Sequence, residues 1–232
     1  MIKYNEIFGE KWMKIDEFAQ YVKSDYFVNL IKNLSRSYDK SEIYPNKKDV
    51  FRIFRNSDPK NIKVVILGQD PYTTGHANGY AFANNDDAIN LSPSLNKIFK
   101  CIETQYDTTL IDPDVTLENW VRQGVFLYNT ALTVQKGMVN SHLEIWNDFT
   151  KFIINFIIDN NAGVIFCLWG NKSQHAFNSS VKTSKKNFYE KLTCPHPAYA
   201  CDNNIDWNCT HFKQVNEIIE GQNGKEFCIK WE

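Results

Sequence analysis

The chain has little that would commit it to an unusual class of protein. No apolar run approaches the roughly 20 residues that a membrane-spanning helix needs. The opening MIKYNEIFGEKW mixes polar and apolar residues and holds no signal-peptide core, so an intracellular location is expected, with cytoplasm and nucleus not distinguished. Glycine (10) and proline (7) are sparse in 232 residues, and there is no repeat, low-complexity tract or linker. One domain spanning residues 1–232 is therefore expected. Charge of one sign is also lacking: the formal net charge is -1. That excludes a protein coated in positive charge, although a local patch can still make a few phosphate contacts. The candidate patch is Lys182-Thr183-Ser184-Lys185-Lys186, for which a plain solvated loop is the ordinary alternative. Six scattered cysteines form no disulfide framework and read as reduced, mostly buried thiols. G-x-S-x-G, G-x-x-x-x-G-K-S/T, H-E-x-x-H and the paired-cysteine deaminase pattern are missing, which removes the commonest hydrolase, nucleotide and zinc chemistries.

What is abundant is aromatic and apolar residues in short runs. Val64-Val65-Ile66-Leu67 reads as a buried strand that runs into Gly68-Gln69-Asp70-Pro71-Tyr72, a tight turn exposing a carboxylate and a phenol. Three further strands are predicted: Gly124 to Leu127, ending near Asn129; Val164 to Leu168, ending at Trp169-Gly170; and Tyr189 to Thr193, ending at His196. Between them lie helical patterns: residues 12–34 with Phe18, Tyr21, Val22, Phe27, Leu30 and Leu34; a short segment at 49–54; and a helix started by Ser92-Pro93. A long helix follows, capped by Ser141 with Glu144 as capping-box partner and a core stripe of Ile145, Phe149, Phe152, Phe156 and Ile157, and then a closing helix over 210–220. Short apolar strands separated by helices imply parallel pairing through right-handed crossovers. The expected class is α/β: a three-layer α/β/α arrangement around a central, mainly parallel four-stranded sheet.

Such a sheet aims the carboxyl ends of its strands at one crevice. The groups delivered there are Asp70, Asn129, the Gly170-Asn171 turn and His196. Asp70 can serve as base, nucleophile or stabiliser of a developing cation; a capping role in an Asp-Pro turn is the ordinary alternative. His196, held between two prolines, can donate to an oxygen gaining charge. The Asn129 amide suits the imide edge of a pyrimidine, and Tyr72 and Phe82 can wall a flat base. A soft-ligand cluster also stands out, with Cys194, His196, Cys201, Cys209 and His211 falling within 18 residues. The spacing matches no standard zinc finger or ribbon, and no metal is assigned.

Taken together, Gly68-Gln69-Asp70-Pro71-Tyr72, Gly79-Tyr80-Ala81-Phe82, Leu91-Ser92-Pro93-Ser94-Leu95, Asn129-Thr130-Ala131-Leu132-Thr133-Val134, Asn140-Ser141-His142, Leu168-Trp169-Gly170 and His196-Pro197 resemble family 1 of the uracil-DNA glycosylases. The resemblance covers roughly residues 45 to 220. It implies hydrolysis of the N-glycosidic bond of deoxyuridine in single- or double-stranded DNA, with no cofactor, no metal and no lyase step. It implies a monomer, and acidic DNA-mimicking proteins as possible inhibitors. By resemblance, Asp70 positions water and stabilises an oxocarbenium ion, and His196 donates as neutral imidazole to uracil O2. Asn129 pairs with uracil N3 and O4, Phe82 stacks, Tyr72 excludes the thymine methyl, and the Gln69 backbone adds a contact. Ser94 and the Gly170-Asn171 turn grip phosphate.

The chain departs from the family pattern in three places. Thr73-Thr74 replaces the usual His-Gly, and Asn171 replaces a Ser. The common His-Pro-Ser-Pro-Leu loop reads His196-Pro197-Ala198-Tyr199-Ala200. Ala200 is too small to fill the gap a flipped base leaves, so Tyr199 is expected to wedge. A non-catalytic DNA-binding protein on the same scaffold, a broader glycosylase and an unrelated α/β hydrolase are the rival readings.

Overall fold

A computed structural model describes residues 2–86, 91–182 and 187–232. Most of the basic run at 182–186 lies outside the described residues. The strands are β1 (Ile43–Tyr44), β2 (Val64–Gly68), β3 (Val125–Asn129), β4 (Val134–Gln135), β5 (Val164–Trp169) and β6 (Tyr189–Cys194). β1 and β4 form a small antiparallel pair. The other four form a wholly parallel sheet in the order β3-β2-β5-β6. Every residue of β2, β3 and β5 is buried, as continuous apolar strands in a doubly covered parallel sheet must be. β6 is one edge of the sheet and exposes Glu190 and Lys191, charges that disfavour pairing with another chain.

The helices are α1 (Tyr4–Phe8), α2 (Glu10–Met13), α3 (Asp16–Lys23), α4 (Asp25–Tyr38), α5 (Arg52–Asn56), α6 (Pro93–Tyr106), α7 (Glu118–Arg122), α8 (Leu143–Asn160), α9 (Asn171–Ser180), α10 (Pro197–Asp202) and α11 (His211–Asn223). They cover the sheet on both faces with aromatic layers. On one face Phe126 and Tyr128 of β3 stack 5.6 Å apart, and Phe126 meets Trp12 and Phe54. On the other, Trp169 of β5 packs edge-on to Trp207 and Phe212, and Phe212 packs against Trp231. The expected α/β/α architecture and all four strands are present. No described helix is long and apolar enough to cross a membrane.

Some local expectations are corrected. The pattern over 12–34 is not one helix. It breaks at Ser24, whose Oγ caps α4 by accepting from the Phe27 N–H at 3.3 Å. Ser92 precedes α6 without a side-chain cap, and Pro93 opens the helix. Ser141 does not cap α8: its hydroxyl accepts from the Gln135 N–H at 2.9 Å, and the helix starts after His142. Its core stripe is shifted, because Trp146 is fully buried while Ile145 is 39% exposed.

Candidate active site

The parallel register sets the site. Gly68 lies opposite Asn129, Leu67 opposite Leu168, and Trp169 opposite Cys194, so all four strands end at one level. Their carboxyl ends frame a cavity of about 480 Å³ lined by Gln69, Asp70, Tyr72, Thr73, Phe82, Ser94, Asn129, Gly170, Asn171, His196 and Ala198, among others. Every sequence-predicted site residue is there except Tyr199 and Ala200. Tyr199 is 56% exposed on α10, outside the lining. Ala200 faces inward and belongs to the core, 1% exposed, so its methyl is not offered to a ligand at all.

Asp70 is half-buried and held from two sides. Its Oδ2 accepts from the Asn140 backbone N–H at 2.6 Å and its Oδ1 from Gln69 Nε2 at 3.0 Å. Gln69 Nε2 also donates to Asn140 Oδ1. Burial pushes the carboxyl above its ordinary pKa, opposed by these hydrogen bonds and by the Lys172 ammonium. Asn140 adopts a left-handed backbone (φ 67°) to present its N–H, a role that its place in a motif did not disclose. Lys172 lines the cavity and was likewise missed. The only sequence signal for it was its position two residues beyond a glycine turn at a strand end.

His196 lines the same cavity. Its Nδ1 accepts from the Ala198 N–H at 3.0 Å, which leaves the ring proton on Nε2. Burial and Lys172 lower its pKa, while Asp202 raises it. The ring is therefore a neutral donor at physiological pH. Its position depends on Gly170, which has φ +88°; a Cβ there would lie 2.8 Å from the His196 Cβ.

Asn129 is 7% exposed, and among the described residues no protein group bonds its side-chain amide. Its neighbour Gly68 leaves room for this amide, because a Cβ there would collide with Asn129 Oδ1 and press on Ala81 Cβ at 3.0 Å. A buried amide is ordinarily paired; this one faces the cavity. Phe82 forms one wall, its ring 4.9 Å from Trp169 and 5.6 Å from His196. Tyr72 is fixed by donating its hydroxyl to the Phe82 carbonyl at 2.9 Å.

Of the suspected soft ligands, Cys194, Cys209 and His211 come together, with ligand atoms within 4.8 Å of one another; His196 and Cys201 are not part of that group. All six cysteines are free, and Cys194, Cys201 and Cys228 are only partly buried.

A profile described as the uracil DNA glycosylase superfamily matches residues 54–220. The chain is 34% identical over 215 residues to the uracil-DNA glycosylase of Idiomarina loihiensis, covering 92% of this chain and 96% of that protein. It is 36% identical to the Escherichia coli enzyme, with 93% of each covered. Among solved structures, mimivirus uracil-DNA glycosylase superposes with a TM-score of 0.84 at 25% identity, covering 99% of this chain and 89% of that one. A tyrosine-to-leucine variant of the mimivirus enzyme in complex with UGI gives the same score at 26% identity, covering 100% and 91%. On the profile match and the near full-length relatives, the chain belongs to the uracil-DNA glycosylase superfamily.

Proposed function

We propose that the chain releases uracil from DNA, with Asp70 and His196 dividing the chemistry and Asn129 choosing the base. Water attacks the deoxyribose C1′ while the C1′–N1 bond breaks, and the bonding pair moves onto the uracil ring. The Asp70 carboxylate stabilises the cationic sugar and takes the water proton. His196 donates from Nε2 to uracil O2 as negative charge gathers there. The Asn129 amide donates to O4 and accepts from N3–H, Phe82 stacks on the ring, and the Gln69 backbone adds a contact. Tyr72 occupies the space beside C5, where thymine carries its methyl. Thr73, Ser94, Gly170 and Asn171, on the cavity rim, hold the flanking phosphates. The observation that carries this reading is the Asn129 amide: buried, without a protein partner among the described residues, and in the same cavity as a held carboxylate and a neutral imidazole donor.

In this reading the whole chain acts as one domain and as a monomer inside the cell. Substrate DNA is single- or double-stranded. A proteinaceous DNA mimic is a proposed inhibitor, by analogy with the mimivirus complexes with UGI. The test is release of free uracil from matched single- and double-stranded oligonucleotides, with Asp70→Asn as control. Release by the parent and near-loss in the variant is expected. Intact DNA binding without release from either substrate would favour a non-catalytic binding protein instead.

A further inference from the structure

The group formed by Cys194, Cys209 and His211 lies against the site without being part of it. Cys194 Sγ is 3.1 Å from Cys209 Sγ. Cys194 ends β6, its carbonyl accepts from the Gly170 N–H at 2.8 Å, and His196 follows two residues later. The segment before α11 clasps this strand end, with Trp207 Nε1 donating to the Pro195 carbonyl at 2.8 Å. His211 Nδ1 accepts from Trp169 Nε1 at 3.0 Å. That bond places the imidazole proton on Nε2 and leaves neither ring nitrogen with a free lone pair for a metal. It also turns an N–H donor toward sulfur. The Cys209 thiol is held below its ordinary pKa by the Cys194 S–H and by the His211 side chain and backbone N–H, against the opposing effect of burial. Although Cys209 is only 2% exposed, it lines a surface cavity of about 600 Å³, apart from the active site, that also includes Lys97, Lys100 and Lys213.

The geometry points to a peroxide-oxidisable dithiol, Cys194 and Cys209, whose closure to a disulfide slows uracil excision through His196. The Cys209 thiolate attacks hydrogen peroxide, forming an S–O bond as the O–O bond breaks and hydroxide leaves. The Cys194 sulfur then attacks the Cys209 sulfur, forming S–S as S–O breaks. The departing hydroxide takes the Cys194 proton as water. In sum, two thiols and one peroxide give one disulfide and two waters. Bond formation draws the sulfurs together by about 1 Å, at a strand end that carries Gly170 on one side and His196 on the other. The part of that movement that reaches His196 is what slows excision, since a misplacement of about 1 Å at a catalytic group costs on the order of 100-fold in rate.

The effect on excision rests on the functional reading above, so the test reads thiols and activity separately. The purified full chain is treated with hydrogen peroxide, alkylated and analysed by peptide mass, with the partly exposed Cys201 and Cys228 as internal controls. A Cys194–Cys209 crosslink reversed by dithiothreitol is expected. In Cys194→Ser, a dimedone adduct should form on Cys209 instead. Crosslinking in the parent should accompany a roughly 10- to 100-fold fall in excision, restored by dithiothreitol, while Cys194→Ser keeps its activity under the same treatment. Both thiols alkylating fully after peroxide would overturn the dithiol. Stoichiometric zinc uptake by the reduced chain with loss of both thiols would overturn it in favour of a metal site. A closed disulfide with unchanged excision would overturn the link to His196.

Discussion

Asp70 is placed where a carboxylate is least comfortable as an anion, and that discomfort is measurable. Its pKa is raised chiefly by burial, so between the unfolded and folded values the native state holds a proton that the unfolded chain does not. Stability then falls as pH rises through that interval. Asp70→Asn removes the buried charge and should raise the melting temperature at neutral pH while lowering kcat by about 100- to 10,000-fold. A lower melting temperature would mean that the hydrogen bonds from Asn140 and Gln69 outweigh the cost of burial. Excision by the parent should fall along an acid limb as Asp70 protonates, at a pH above the ordinary aspartate value. Lys172 favours the charged form of Asp70 and the neutral form of His196. Lys172→Met should move both pKa values up and shift the acid limb of kcat/KM to higher pH, with Lys172→Arg restoring it. An unmoved limb would remove Lys172 from the electrostatics of the site. Selectivity is also a single-residue matter: Tyr72→Ala should release thymine from DNA at a detectable rate, and continued rejection would place the guard elsewhere.

Among the elements, the strands were legible in the sequence and the loop conformations were not. Val64 to Leu67 and Val164 to Leu168 are short, β-branched apolar runs bounded by turn residues, as buried parallel strands are, and their ends locate Asp70 and Gly170. The cap expected of Ser141 failed because its hydroxyl is taken by the Gln135 N–H, a partner in the next small sheet that helix chemistry does not reveal. Asn140 was legible as part of a motif but not as a holder of Asp70, since its role depends on a left-handed backbone and presents its N–H rather than its side chain. Ala200, at the position of the family's wedging leucine, is a core residue, because the 197–202 segment coils into α10 and turns that position inward. The junction of β5 and α9 gives a prediction at this scale. Gly170 has φ 88° and ψ 164°, a region essentially reserved for glycine, and its missing Cβ makes room for His196. Gly170→Ala should destabilise the fold by about 1–3 kcal/mol in urea unfolding. It should also lower kcat by roughly 10- to 100-fold with little change in DNA affinity. An equal loss of affinity and turnover would mean that the turn serves phosphate binding alone.

At the scale of the whole molecule, the question is how a chain of net charge -1 opens a duplex. It has no general excess of positive charge, so a specific contact beside the cavity is the natural means of holding the duplex open. α10 is the element placed to do so, since it is capped by His196 in the cavity wall and carries Tyr199 outward, 56% exposed, within its first turn. An aromatic ring there can stack against a base in the gap left by the flipped nucleotide, and base–aromatic stacking contributes about 1–3 kcal/mol. Single-stranded DNA leaves no such gap to fill, so the contribution of Tyr199 should divide by substrate. Tyr199→Ala should lower kcat/KM on double-stranded uracil DNA by about 5- to 150-fold and leave single-stranded excision nearly unchanged, while Tyr199→Phe, which keeps the ring, should retain most of the duplex activity. Equal losses on both substrates would assign Tyr199 to the backbone grip rather than to the wedge. No loss on either would pass the role to another group, and Val139 is an exposed apolar residue in the cavity lining.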